Sequence, residues 1–135
     1  EDIESALPWT DLLVMGLPST PQTAGALSAE RLALLPRRAV VVNVGRGATV
    51  DQTALEAALR SGAISAAGLD VTDPEPLPAA STLWDTPNLL LTPHAAGGRV
   101  VGAVERIIAN AAAVDATPPG EPITGLEAQI PRPSR

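Results

Sequence analysis

Val40-Val41-Val42-Asn43-Val44 runs directly into Gly45-Arg46-Gly47, and a helical stretch headed by Asp51 follows. A run that is apolar but for Asn43 predicts a strand buried in a parallel sheet. The glycines predict a tight turn at its end. Asp51 is a good N-cap for a helix over 53–60, Leu55 and Leu59 fall on one helical face, and Ser61-Gly62 ends it. The same unit recurs on either side. Upstream, Leu12-Leu13-Val14-Met15-Gly16-Leu17 predicts a second strand, buried on both faces and central, stopped by Pro18. After a loop over 19–25, Ser28 caps a short helix that runs to Leu35 and stops at Pro36. Downstream, 64–69 and 88–91 predict strands, and 99–114 a helix rich in Ala, Val and Ile. Alternation of this kind predicts an α/β fold: a parallel sheet with helices on both faces.

Composition narrows the function classes. The chain has 135 residues, 45% of them hydrophobic, with no cysteine and a net charge of −6. Absence of cysteine removes thiol catalysis, disulfides and cysteine metal clusters. The negative balance argues against nucleic-acid or anionic-membrane partners, which need a basic field. All nine basic residues are arginine, so no lysine is present as a Schiff base or phosphate ligand. No apolar run approaches the roughly 20 residues that span a bilayer, and the expected location is cytoplasmic. One histidine among scattered acids predicts no metal site. Trp9 is expected to lead into the first strand and Trp84 to pack a loop against the sheet edge. The chain opens shortly before a strand and carries no GxGxxG turn, which predicts a native polypeptide that continues upstream.

In open parallel sheets, ligands bind beyond the carboxyl ends of the strands. Pro18 and a Ser/Thr loop follow the first strand, and Gly45-Arg46-Gly47 the second. Asp70 closes the third, ahead of Asp73-Pro74-Glu75-Pro76. Thr92-Pro93-His94-Ala95-Ala96-Gly97 follows the fourth. Arg46 reads either as a solvated turn residue or as a guanidinium presented to a carboxylate or phosphate. His94 reads either as structural or as an acid–base group, the latter if a carboxylate fixes its tautomer. Glu75 and Asp70 are both candidates for that carboxylate. Acid–base work with an arginine anchor implies a small anionic substrate.

Taken in order, Leu17-Pro18-Ser19-Thr20-Pro21-Gln22-Thr23, then 43–51, Gly68-Leu69-Asp70-Val71, Glu75-Pro76-Leu77-Pro78 and Thr92-Pro93-His94 resemble the D-isomer-specific 2-hydroxyacid dehydrogenases, over roughly residues 6 to 125. The resemblance implies a Rossmann-like fold of which only the second portion is present: 1–115 as the C-terminal portion of the NAD(P)-binding domain, and 116–135 as a tail returning toward a substrate domain. It implies an oxidoreductase moving hydride between NAD or NADP and a small 2-oxo/2-hydroxy acid. Arg46 resembles the carboxylate anchor, His94 the acid–base, and Glu75 the glutamate that supports that histidine. Leu17, Pro18, Thr23, Val44, Gly45, Arg46, Asp70, His94, Ala95, Ala96 and Gly97 resemble the cofactor-lining positions, with Asp70 at the nicotinamide end. Related formate dehydrogenases carry glutamine where Glu75 stands, which argues against formate oxidation. A homodimer is also implied. Two other readings remain: a non-catalytic NAD(H)-binding regulator like the family's co-repressors, and an inert truncated module.

Overall fold

In the computed structural model, which describes residues 3–97 and 103–118, four strands form one parallel sheet in the order β1-β2-β3-β4. They are β1 (Leu12–Met15), β2 (Val40–Asn43), β3 (Ala66–Leu69) and β4 (Leu89–Leu91). The helices are α1 (Ile3–Ala6), α2 (Ala29–Leu32), α3 (Gln52–Arg60) and α4 (Ala103–Ala116). Adjacent strands are sequential neighbours, so the chain moves steadily across the sheet. α2 lies in the first crossover and α3 in the second. The third crossover holds only a short 3-10 turn, Thr82–Asp85, and is otherwise loop.

Register explains the core. Met15, Asn43, Leu69 and Leu91 lie side by side, as do Leu13, Val41, Ala67 and Leu89 one step earlier. Successive side chains alternate between faces, so these residues share one face. Almost all are buried, in one cluster with Leu32 of α2 and Leu55 and Leu59 of α3. Each such leucine contributes roughly 1.5–3 kcal/mol through burial.

The other face departs from expectation. β1 lies at one end of the four-stranded sheet that these residues form, and its Leu12 and Val14, expected to be buried, are 59% and 57% exposed. β2 alternates between half-buried and buried positions instead of being enclosed throughout. The apolar runs therefore mark strands correctly but overstate their burial, because among the described residues the second face is only partly covered.

Both expected caps form: Ser28 Oγ accepts from Arg31 N, and Asp51 Oδ1 accepts from Ala54 N at 2.9 Å. α2 is shorter than the sequence predicts because its last turn tightens into i→i+3 bonds ahead of Pro36. β4 starts at Leu89 because Asn88 sits in the left-handed region at φ 57°. Trp84 packs on the core and donates from its indole to Pro78 O at 2.8 Å, whereas Trp9 is largely exposed. The expected helix is observed over Ala103–Ala116; positions 99–102 and the tail from 119 lie outside the described residues. No helix among the described residues is long and apolar enough to cross a membrane.

Candidate active site

Because the strands are parallel, their carboxyl ends share one rim, and every candidate residue lies there. Beyond β1, Thr23 Oγ1 donates to Pro18 O and accepts from Thr20 N, closing the 18–23 turn on itself. Leu17 and Val44 are apolar yet 39% and 41% exposed at the ends of their strands. Between them the backbone runs close: a Cβ at Gly45 would lie 2.5 Å from Leu17 O. Glycine at 45 is therefore a packing requirement.

The Arg46 turn is built from buried polar groups. Asn43, fully buried at the end of β2, accepts from Gly45 N at 3.0 Å and donates to Arg46 O at 3.0 Å. Thr49, also fully buried, donates to Arg46 O at 2.7 Å. Gly47 faces the backbone of Thr72 and Asp73, where a Cβ would come within 2.1 Å. The exposed Arg46 side chain hydrogen-bonds Gly45 O through Nη1 and forms no ion pair among the described residues. Its remaining donors can meet a carboxylate edge-on.

On the far side of the rim the two carboxylates left open by the sequence divide the work. Glu75 Oε1 meets His94 Nδ1 at 2.8 Å. With Glu75 Oε1 as acceptor, Nδ1 is the donor of this bond and Nε2 is the ring nitrogen left clear of it. Asp70, 7% exposed, instead accepts from Thr92 Oγ1 and from the backbone amides of Ala95 and Ala96, both at 2.9 Å. Burial pushes its carboxyl pKa up, but those hydrogen bonds and the neighbouring His94 outweigh burial, and the value lies below the ordinary range. The bonds have a structural purpose. His94 sits at φ 52°, a left-handed conformation uncommon for a residue with a Cβ, and Asp70 ties down the two residues after it. A cleft of about 150 Å³ between Asp70, Thr72, Glu75, Thr92 and Pro93 opens beside this pair.

The structure thus joins His94 to Glu75 and Asp70 to the 92–96 turn. It places Arg46 on the same rim, without a hydrogen bond to either group. Ala95, Ala96 and Gly97 are exposed along the same turn. Sequence reading passes over Asn43, Thr49 and Thr92, which hold the turns that carry the charged groups. A usable signal exists for Asn43, the single polar residue in an otherwise apolar strand.

A nicotinamide cofactor fits this rim at one end. Leu17 and Val44 offer exposed apolar surface, and Ala95 to Gly97 are small and exposed, with nothing within 4 Å of a Cβ built at Gly97. The chain resembles "Glyoxylate/hydroxypyruvate reductase B" of Pectobacterium atrosepticum at 45% identity over 93 residues, 69% of this chain and 29% of that one. It resembles "Glyoxylate/hydroxypyruvate reductase A" of Salmonella newport at 40% over 125 residues, 93% of this chain and 39% of that one. It therefore spans well under half the length of these curated relatives. Among solved structures, a D-isomer specific 2-hydroxyacid dehydrogenase from Xanthobacter autotrophicus Py2, in complex with NADPH and MES, matches at 44% identity with a TM-score of 0.64, over 95% of this chain and 52% of that one. The family model described as D-isomer specific 2-hydroxyacid dehydrogenase, NAD binding domain, matches residues 1–96, and the chain belongs to that family.

Proposed function

We propose that this chain supplies the later strands of the cofactor domain in an NAD(P)-dependent reductase of small 2-oxo acids, of the glyoxylate and hydroxypyruvate kind, yielding the D-2-hydroxy acid. One observation carries the reading: a histidine oriented by a carboxylate at 2.8 Å, on the same rim as an exposed arginine that forms no ion pair among the described residues. Arg46 takes the substrate carboxylate in a bidentate grip. His94 Nε2 gives its proton to the carbonyl oxygen as negative charge develops there, and takes it back in the oxidative direction. Glu75 holds the ring and its tautomer, and stabilises the imidazolium. Asp70 holds the His94 turn at the nicotinamide end of the pocket. Leu17, Pro18, Thr23, Val44, Gly45 and the backbone at Ala95, Ala96 and Gly97 line the cofactor, which supplies the hydride when bound. The working protein is read as a cytoplasmic homodimer of longer chains.

The test is turnover by the full-length protein, with NADH and NADPH each offered against glyoxylate, hydroxypyruvate and formate's product, carbon dioxide. Reduction of a 2-oxo acid to its D-hydroxy product is expected, with none of carbon dioxide. Cofactor binding without turnover of any 2-oxo acid would instead support the co-repressor-like reading.

A further inference from the structure

Arg46 is held from behind by two fully buried polar side chains. Its carbonyl oxygen receives three donors: Asn43 Nδ2 at 3.0 Å, Thr49 Oγ1 at 2.7 Å and Thr49 N at 3.1 Å. Asn43 Nδ2 also lies 3.4 Å from Thr49 Oγ1, and Asn43 Oδ1 takes Gly45 N at 3.0 Å. Both side chains are fully buried. A carbonyl has two lone pairs, so three converging donors fix the peptide plane between Arg46 and Gly47. That plane sets ψ of Arg46, 141° here, and with it the direction in which the arginine side chain leaves the backbone. Arg46 is exposed and, among the described residues, makes no side-chain bond except to its own neighbour's carbonyl.

We propose that Asn43 and Thr49 are positioning residues that aim Arg46 at the substrate carboxylate, so that the oxo-acid affinity of the site is set by a buried amide–hydroxyl clamp behind it. The proposal rests on the reading of Arg46 as carboxylate anchor. A guanidinium displaced by an ångström loses its bidentate geometry. Loosening the clamp therefore weakens acid binding while leaving the apolar cofactor surface at Leu17 and Val44 in place.

The test uses the full-length holoenzyme and steady-state kinetics with glyoxylate and NAD(P)H. Thr49→Val preserves shape and removes the hydroxyl; Thr49→Ser preserves the hydroxyl; Asn43→Ser is the second route should valine at 49 fail to fold. Thr49→Val or Asn43→Ser is expected to raise KM for glyoxylate about tenfold, the scale of one lost hydrogen bond's worth of alignment. KM for NAD(P)H should stay within twofold, and Thr49→Ser within threefold of the parent for both. In an Arg46→Ala background, Thr49→Val should add nothing. Equal shifts in both KM values, no rescue by serine, or an undiminished effect in the Arg46→Ala background would each overturn the clamp. If Arg46→Ala itself leaves KM for glyoxylate unchanged, the anchor reading fails and takes the clamp with it. A large Arg46→Ala effect with a silent Thr49→Val overturns the clamp alone.

Discussion

Replacing Gly47 with alanine adds one methyl group at the closest backbone contact of the rim. That carbon would lie 2.1 Å from Thr72 C, 2.2 Å from Thr72 O and 2.6 Å from Asp73 N. Ordinary contact between such atoms is near 3.5 Å, so the two segments must part by about 1 Å or more. Neither side yields easily. Asp73 is gripped by Gln52, which donates to its carbonyl and accepts from its amide, and the Arg46 turn is fixed through its own carbonyl. Overpacking usually costs about 1–3 kcal/mol, and with backbone on both sides Gly47→Ala is expected at about 3 kcal/mol. Gly68 in β3 is the control: nothing lies within 4 Å of its added Cβ, and neither glycine has positive φ. Gly68→Ala should be neutral or stabilising by about 0.4–1 kcal/mol, because alanine restricts the unfolded chain. Urea unfolding of both variants, with unchanged m values, reads the difference. A Gly47→Ala loss under about 0.5 kcal/mol, or equal losses for both variants, would refute the packing argument.

Asp70→Asn keeps one acceptor and turns an N–H toward a donor, so it should cost about 2 kcal/mol at pH 7. The folded-state value of Asp70 is lowered, so its contribution is complete above the unfolded value of about 3.9 and is lost as pH falls through the folded one. The stability gap between the parent and Asp70→Asn should accordingly narrow toward pH 2.5; a gap that widens in acid would contradict it. Glu56 accepts from Thr82 Oγ1 at 2.6 Å and pairs with Arg60 at 2.9 Å, and the Thr82 bond leads the causes that lower its pKa. Glu56→Gln should cost only about 0.5–1 kcal/mol, less in high salt, and a loss above about 2 kcal/mol in urea unfolding would show the cluster to be more than a surface pair. A polypeptide of these 135 residues alone is expected to show no NAD(P)H-dependent reduction of any 2-oxo acid, since its sequence contains no GxGxxG turn to hold the pyrophosphate. Measurable turnover from that polypeptide would contradict this.

The strand–helix units are legible because each is local: an apolar run, a capping residue at Ser28 or Asp51, and a stop at Pro36 or Gly62. Parallel pairing then places Arg46, Asp70 and His94 on one rim without further information. Burial is not local, which is why β1 reads as buried on both faces while its Leu12 and Val14 are exposed among the described residues. The pairing of His94 with Glu75 rather than Asp70 joins residues 19 apart in the chain. It depends on where the loop after β3 returns relative to the end of β4, and no sequence period records that. Asn43 and Thr49 escape notice for a different reason. Their function is to satisfy a turn from beneath, and buried polar residues of that kind look like breaks in an apolar pattern until their partners are seen.

The most direct test of the account is single-turnover oxidation of bound NAD(P)H by glyoxylate in the full-length protein, comparing the parent with His94→Gln and Glu75→Gln, alongside cofactor Kd from nucleotide fluorescence. An acid–base role for His94 predicts that His94→Gln slows the step on the order of 10²–10⁴-fold, that Glu75→Gln slows it less, and that cofactor Kd moves by under about threefold in both. An unchanged rate in His94→Gln would contradict the assignment of the proton to His94.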